Sequence, residues 1–238
     1  MDKLEYETLF KLEETYWWFI GQRFLVSNLL KEHYPGRRDL KLLDVGCGTG
    51  ITIKMLQEFG SAEGADIADE AVAFCKKRDA PITKSDVMNL KHFDKTFDVV
   101  TTLGLFYHKA VADDLKGMKE IYRVLKPEGR FIFFDCAMMS LYGKHDIAFH
   151  GERRYSRKEL EEKLEKAGFI VEKISYCNTL IFPFVFLKRK LEKLSSAPAK
   201  SEVQDNLPSW INWLLTKMYL TELKLVKYVN YPFGVNIV

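Results

Sequence analysis

The sequence has little of what builds stapled, fibrous or membrane-spanning proteins. Its 238 residues include four cysteines, Cys47, Cys75, Cys136 and Cys177, and no two of them form a Cys-x-x-Cys pair. That spacing argues against a zinc ribbon or a thioredoxin-type redox site. The longest unbroken apolar stretch, residues 180–187, is far too short to cross a bilayer. The first fourteen residues are acidic and lack the apolar run of a secretory leader. There is no internal repeat and no low-complexity block. A net charge of +3 is too mild to mark an obligate nucleic-acid binder. With 47% apolar and 29% charged positions, the chain reads instead as an ordinary globular protein that buries a core without staples, in a reducing, cytoplasmic compartment. Its charge is uneven: residues 1–150 sum to −2 and residues 151–238 to +5, so the C-terminal third is the better place for an anionic partner.

From residue 40 the pattern alternates between strand and helix. Strands are expected at 40–45, 62–67, 81–84, 97–103, 130–136 and 169–176, and a final one at 231–238. Helices are expected up to Phe59, at 69–77 with Asp69 as N-cap, at 112–125, and at 156–167. In the last of these Ser156 and Glu159 form a capping box and Gly168 is the stop. Strands apolar on both faces and alternating with helices belong to a parallel, doubly wound α/β sheet. The first 34 residues read as two helices with the aromatic cluster Tyr16, Trp17, Trp18 and Phe19 between them, broken by Gly21 and closed by Pro35 and Gly36. Beyond the sixth strand the rhythm stops. An apolar stretch at 180–194 turns basic, Pro183 is expected to interrupt any helix there, a polar linker covers 195–208, and a Leu- and Trp-rich helix runs from Trp210 to about Tyr228.

The most informative motif is LLDVGCGTG, residues 42–50. A strand carries Asp44 to its end, and Gly46, Gly48 and Gly50 allow a tight turn and close approach to a ligand. The spacing is G-x-G-x-G rather than the G-x-G-x-x-G of dinucleotide sites. Asp66, 20 residues after Gly46, ends the second strand, where a carboxylate can accept both hydroxyls of a ribose. Asp86 follows the third strand, placed for an adenine amino group beside Val87 and Met88. Three carboxylates would repel a pyrophosphate. They suit a nucleoside that carries a sulfonium and an amino-acid tail.

The order DVGCGTG, GADI, SDVMNL, FDVV and RVLKPEGRFIF, spread over residues 40–134, resembles the class I S-adenosylmethionine-dependent methyltransferases. The resemblance implies a Rossmann-like seven-stranded sheet with an N-terminal helical cap (1–36), a cofactor-binding α/β core (37–177), a helical insertion between strands six and seven (178–230) and a last strand (231–238). It implies S-adenosyl-L-methionine as cofactor, with Asp44 and Gly46 at the methionine end, Asp66 at the ribose, and Asp86 and Val87 at the adenine. Cys47, Gly48, Gly50, Ile67 and Leu103 complete the expected contacts. Read from the residues themselves, Trp17, Trp18 and Phe19 form either a lid over the cofactor, with Arg23 reaching its carboxylate and Trp18 and Arg23 the better candidates, or simple core packing of the two helices. A narrower resemblance, carried by YWWF, LYGKHD, RRYSRKEL and SYCN, is to a bacterial and archaeal subgroup found beside or fused to glycosyltransferases of lipid-linked sugar pathways. Where that subgroup usually has an acidic residue before His108, this chain has Leu105, Phe106 and Tyr107, so that carboxylate's role does not carry over.

Methyl transfer from a sulfonium is an in-line displacement that gains most from alignment, and a base is needed only for a protonated nucleophile. Candidate bases are His145 and Asp146, then His108 and His150. Arg153, Arg154 and Tyr155 are candidate contacts for an anionic acceptor, the alternative for the two arginines being ion pairs with Glu152 or Glu159. The expected acceptor is a small or lipid-linked molecule, a sugar among them, methylated on oxygen or nitrogen. An RNA methyltransferase and a non-catalytic cofactor-binding protein are the alternatives. The segments 180–193 and 210–228 read either as a peripheral contact with the inner membrane face, with Lys188, Arg189, Lys190 and Lys193 at anionic head groups, or as helices packed over the pocket or across a homodimer interface.

Overall fold

The computed structural model describes residues 3–192 and 207–238. Two helices, α1 (Lys3–Leu12) and α2 (Trp17–His33), precede the sheet. The alternating core follows as β1 (Leu40–Val45), α3 (Ile51–Leu56), β2 (Gly60–Asp66), α4 (Asp69–Lys77), β3 (Ile82–Lys84), β4 (Phe97–Leu103), α5 (Asp114–Val124) and β5 (Leu125–Cys136). A short helix α6 (Lys144–Ala148), then α7 (Arg157–Ala167) and β6 (Tyr176–Cys177), lead to α8 (Phe182–Glu192), α9 (Ser209–Val226) and β7 (Asn236–Ile237). The seven strands lie in the order β3-β2-β1-β4-β5-β7-β6. The strands from β1 to β5 are all parallel, whereas β7 runs antiparallel to both its neighbours, so the sheet is mixed at that edge.

Alternation along the strands divides the core between two faces. Leu42, Val99 and Ile132 pack with Val26, Leu30, Ile53, Leu56 and Cys75 on one side. Their chain neighbours Leu43, Val100 and Phe133 pack with Met118, Ile121, Leu160 and Leu164 on the other. Successive side chains of a strand point to opposite faces, so a strand covered by helices on both sides must be apolar throughout. Reversal of the strand order between β1 and β4 opens a crevice at the carboxyl ends of the strands.

Several local expectations are corrected. Trp17, Trp18 and Phe19 lie in the first turns of α2 rather than between helices, and Gly21 continues that helix instead of breaking it. Gly21 serves packing: a Cβ there would fall onto Cδ1 and Cε1 of Tyr219 on α9. Asn212 on α9 ties the same contact, accepting from the Trp17 N–H at 2.9 Å and donating to the Thr15 carbonyl at 2.8 Å. Ala68, not Asp69, holds the cap position of α4, and the Asp69 carboxylate pairs with Lys84. Ser156 does cap α7, accepting from the Glu159 N–H at 3.3 Å. The sixth strand is only two residues long, because Phe169 and Val171 turn into the core below it and the stretch never enters the ladder. Pro183 does not interrupt α8. It occupies the second position, where the missing N–H has no intrahelical partner to lose. The linker at 195–208 lies almost wholly outside the described residues, as does Lys193.

Candidate active site

A cavity of about 380 Å³ occupies the crevice. This is within the range of small-molecule sites. Following the strand order, its one half lies at the ends of β3, β2 and β1 and its other half at the ends of β4, β5 and β7. The first half is the glycine loop and three carboxylates. Gly46 and Gly48 take left-handed backbone angles, φ +73° and +54°. A Cβ on Gly46 would come within 2.8 Å of Leu105, whereas one on Gly48 would meet nothing and project into open space. Asp44 is buried, its Oδ1 accepting from the Thr101 hydroxyl at 2.6 Å, and burial pushes its carboxyl up to about 7. Asp66 accepts one backbone N–H on each oxygen, from Gly48 and from Ala68, both at 3.0 Å. Burial raises its pKa and these bonds oppose the rise. Asp86 accepts from the Met88 N–H at 2.8 Å. Each carboxylate thus keeps acceptor capacity for a ligand. Cys47, Ile67, Val87 and Leu103 also line this cavity, while Gly50 does not. Gly50 is a turn position at the start of α3, packed against Cys75 and Ala80.

The N-terminal helices form the roof. Trp18 and Arg23 both line the cavity. The Trp18 ring meets Phe134 edge-on and its indole N–H donates to Asn236 Oδ1 at 3.3 Å. Arg23 donates to the Glu13 carbonyl at 2.6 Å, which fixes the turn between α1 and α2. Glu13 was not legible as a site residue. Buried, it bonds the Thr49 hydroxyl of the glycine loop and pairs with Arg78 at 2.6 Å, so the cap is tied directly to the loop.

The second half corrects the expected acid–base set. His145 lines the cavity, its ring against Phe149. Asp146 turns the opposite way. It is 1% exposed, pairs with Arg154 Nε at 2.8 Å and accepts from the Gly143 N–H at 2.8 Å. His108 reaches the cavity, but its Nδ1 accepts from the Ala110 N–H at 3.0 Å and burial lowers its pKa to about 4. At neutral pH its proton therefore sits on Nε2, making it a donor and not a base. His150 stands behind His108, ring centroids 5.8 Å apart, and does not line the cavity. Arg153 points elsewhere, bonding the Val111 carbonyl and Glu152. Tyr155 is fully buried beneath Phe133 with its hydroxyl donated to Asp114 at 2.8 Å, so it supports the sheet instead of touching a ligand. Of the three expected acceptor contacts only Arg154 reaches the cavity.

Asp135, the penultimate residue of β5, is a site residue that the sequence pattern does not single out. Fully buried at the cavity wall, it accepts from the backbone N–H groups of Phe106, Tyr107 and Cys136 at 2.7, 3.2 and 2.7 Å. It thereby anchors the loop after β4 to the end of β5, and burial pushes its carboxyl up to about 7. An acid at the end of an apolar strand is the only sequence signal it gives.

The residues present fit a nucleoside with an amino-acid tail. A glycine cradle opens onto empty space, carboxylates with spare acceptor sites stand at two neighbouring strand ends, and Gln22 Nε2 is buried at the wall with no partner among the described residues. The seven-stranded sheet is of the Rossmann-like kind that solved methyltransferase structures share. Residues 43–133 match the family described as "Methyltransferase domain". Among curated proteins the chain is similar to a sterol 24-C-methyltransferase of Eremothecium gossypii, 29% identical over 178 residues, which covers 63% of this chain and 47% of that protein. It is also similar to a protein of Mus musculus named "Probable tRNA methyltransferase 9B", 26% identical over 60% of this chain and 32% of that one. The chain thus spans a third to a half of the length of these relatives. Among solved structures, a SAM dependent methyltransferase from Archaeoglobus fulgidus shares the fold at 19% identity with a TM-score of 0.56, covering 90% of this chain and 91% of that one.

Proposed function

We propose that the chain transfers the methyl group of S-adenosylmethionine to an oxygen or nitrogen of a small or lipid-linked acceptor, sugars included. The observation that carries this reading is the continuity of the cavity from the carboxylate-lined half to a second half walled by His145, Arg154, Val185 and Arg189. Bound S-adenosylmethionine supplies an electrophilic methyl group. The chain's own contribution is alignment, worth up to ~7–11 kcal/mol in well-oriented reactions, and exclusion of water by Trp18, Leu103 and Phe134. Asp66 and Asp86 orient the nucleoside. His145 takes the proton of the acceptor, since Asp146 faces its arginine and His108 has its proton on Nε2.

Entry from a lipid surface fits the outside of the insertion. Phe184, Leu187 and Leu191 on α8 are 76%, 59% and 58% exposed, and Trp210 and Trp213 on α9 are exposed too. Lys188, Lys190 and Lys217 lie on the same two helices, a composition suited to the interface of an anionic bilayer. Arg189 belongs to the cavity and not to that surface. No helix of the described residues is long and apolar enough to cross a membrane. The test is transfer of label from methyl-labelled S-adenosylmethionine in extracts divided into lipid, small polar and RNA fractions. Label in the lipid or small polar fraction supports the proposal; label in RNA alone refutes it.

A further inference from the structure

The loop after β4 carries Tyr107, whose backbone and ring are fully engaged and whose hydroxyl is not. Its N–H donates to Asp135 Oδ2 at 3.2 Å, and its carbonyl accepts from the N–H groups of Glu152 and Arg153 at 2.8 and 3.3 Å. The ring is held against Gly151, where a Cβ would lie 2.8 Å from its Cδ2. The half-buried side chain lines the cavity, and its hydroxyl bonds none of the described residues. Unlike the Tyr219 hydroxyl, it is not sealed in the core. Burial, and the nearby Cys136, Asp135 and Asp146, hold the phenol well above its usual range, so it keeps its proton and donates. Next to it His108 also lines the cavity, the two rings perpendicular with centroids 6.2 Å apart. With its Nδ1 taken by the Ala110 N–H, His108 presents Nε2–H, which likewise bonds none of the described residues. Two adjacent neutral donors thus stand at the second half of the cavity.

Among the described residues, no carboxylate is left over on that side. Asp44, Asp66 and Asp86 stand at the nucleoside half, and Glu13 belongs to the roof, paired with Arg78. Asp135 commits its oxygens to three backbone N–H groups, and Asp146 faces Arg154. An ammonium group entering here would leave water with no carboxylate to receive it, which is costly for a buried charge. An oxygen with lone pairs meets two ready donors instead. We infer that Tyr107 and His108 bind oxygen atoms of the acceptor, and that the methyl group is delivered to a hydroxyl oxygen and not to an amine. In that transfer the acceptor oxygen forms its bond to the methyl carbon as the carbon–sulfur bond breaks, and the hydroxyl proton passes to His145. The inference rests on the methyltransferase reading of the same cavity and narrows its acceptors to hydroxylated molecules.

The test is saturation-transfer NMR on protein saturated with S-adenosylhomocysteine and offered cyclohexane-1,2-diol or cyclohexylamine at neutral pH, where the amine is an ammonium. The diol should bind at millimolar concentration, roughly fivefold or more tightly than the ammonium. Tyr107→Phe keeps the ring and removes the hydroxyl. It should weaken diol binding by about threefold to tenfold, the loss of one neutral hydrogen bond, with S-adenosylhomocysteine affinity in calorimetry unchanged. His108→Phe should cost as much, whereas His108→Gln, which keeps a donor, should restore binding to within about twofold of the parent. In the label-transfer experiment, hot hydriodic acid should release the transferred methyl as methyl iodide, which O-methyl groups give up and N-methyl groups retain. The inference is overturned by absent diol binding, by an ammonium that binds as well as the diol, by diol binding insensitive to Tyr107→Phe and His108→Phe, or by label retained on nitrogen. Failure of S-adenosylhomocysteine to bind the parent protein overturns the underlying methyltransferase reading instead, and is seen by calorimetry before any probe is added.

Discussion

Replacing Asp66 by alanine tests the cofactor site most directly. Each oxygen of this carboxylate already accepts one backbone N–H, from Gly48 and Ala68 at 3.0 Å, which fixes the plane of the group before any ligand arrives. A carboxylate oxygen accepts two hydrogen bonds, so one site on each remains, matching the two hydroxyls of a ribose. Desolvation has already been met in the free protein, where burial raises the pKa of the group. Even at the lower end for charged acceptors, the two bonds to a ligand together contribute about 3 kcal/mol, or roughly a hundredfold in Kd. Calorimetry with S-adenosylhomocysteine, which cannot turn over, reads this directly. Asp66→Asn keeps one acceptor oxygen without the charge and should fall between, near tenfold. Unchanged affinity in both variants, or tighter binding of NAD than of S-adenosylhomocysteine by the parent, would refute the assignment.

Other consequences are equally measurable. His145→Ala should lower turnover by roughly 10²–10⁴ with cofactor affinity intact; full activity would mean that alignment alone suffices. Burial pushes the folded pKa of Asp135 up to about 7, against 3.8 for a solvated aspartate. The folded protein therefore holds a proton that the unfolded chain releases, and this group's effect on stability becomes less favourable as pH rises from about 4 to 7. Asp135→Asn should flatten that decline in urea titrations across the window; a parallel curve would contradict the argument. Gly21→Ala should destabilise by about 1–3 kcal/mol through overlap with Tyr219, although alanine favours a helix by up to ~1 kcal/mol. A raised melting temperature would mean that α9 yields. Vesicles containing anionic lipid should carry the protein upward in flotation, and Lys188→Gln with Lys190→Gln should weaken this by about 1 kcal/mol per residue. A parent protein that ignores such vesicles would remove the membrane reading.

The central strands and the glycine loop were legible because their signal is local. A strand buried on both faces must be apolar throughout, and a left-handed turn beside a ligand calls for glycine. What was not legible depends on which way a side chain turns once distant parts have met. His145 and Asp146 look equivalent in sequence, yet one faces the cavity and the other Arg154. In the basic run, Lys188 and Lys190 are exposed and Arg189 is buried, a difference set by helix phase against the turn at Met139–Leu141. Gly21 read as a breaker because nothing nearby announces Tyr219, almost two hundred residues away.

That same distance has a kinetic meaning. The roof is held by bonds from Trp17 to Asn212 and from Trp18 to Asn236, which close loops of about two hundred residues. Contacts of such separation form late, after the β1–β5 sheet can already fold from nearer neighbours. During synthesis the glycine loop would stand exposed until α9 and β7 dock, and cofactor would bind weakly to that unfinished form. In the complete protein the roof is also the natural first place to open. A ligand beneath it should slow amide exchange in α2 and α9 far more than in the central strands, converting a seam between distant parts of the chain into the most ligand-sensitive part of the molecule.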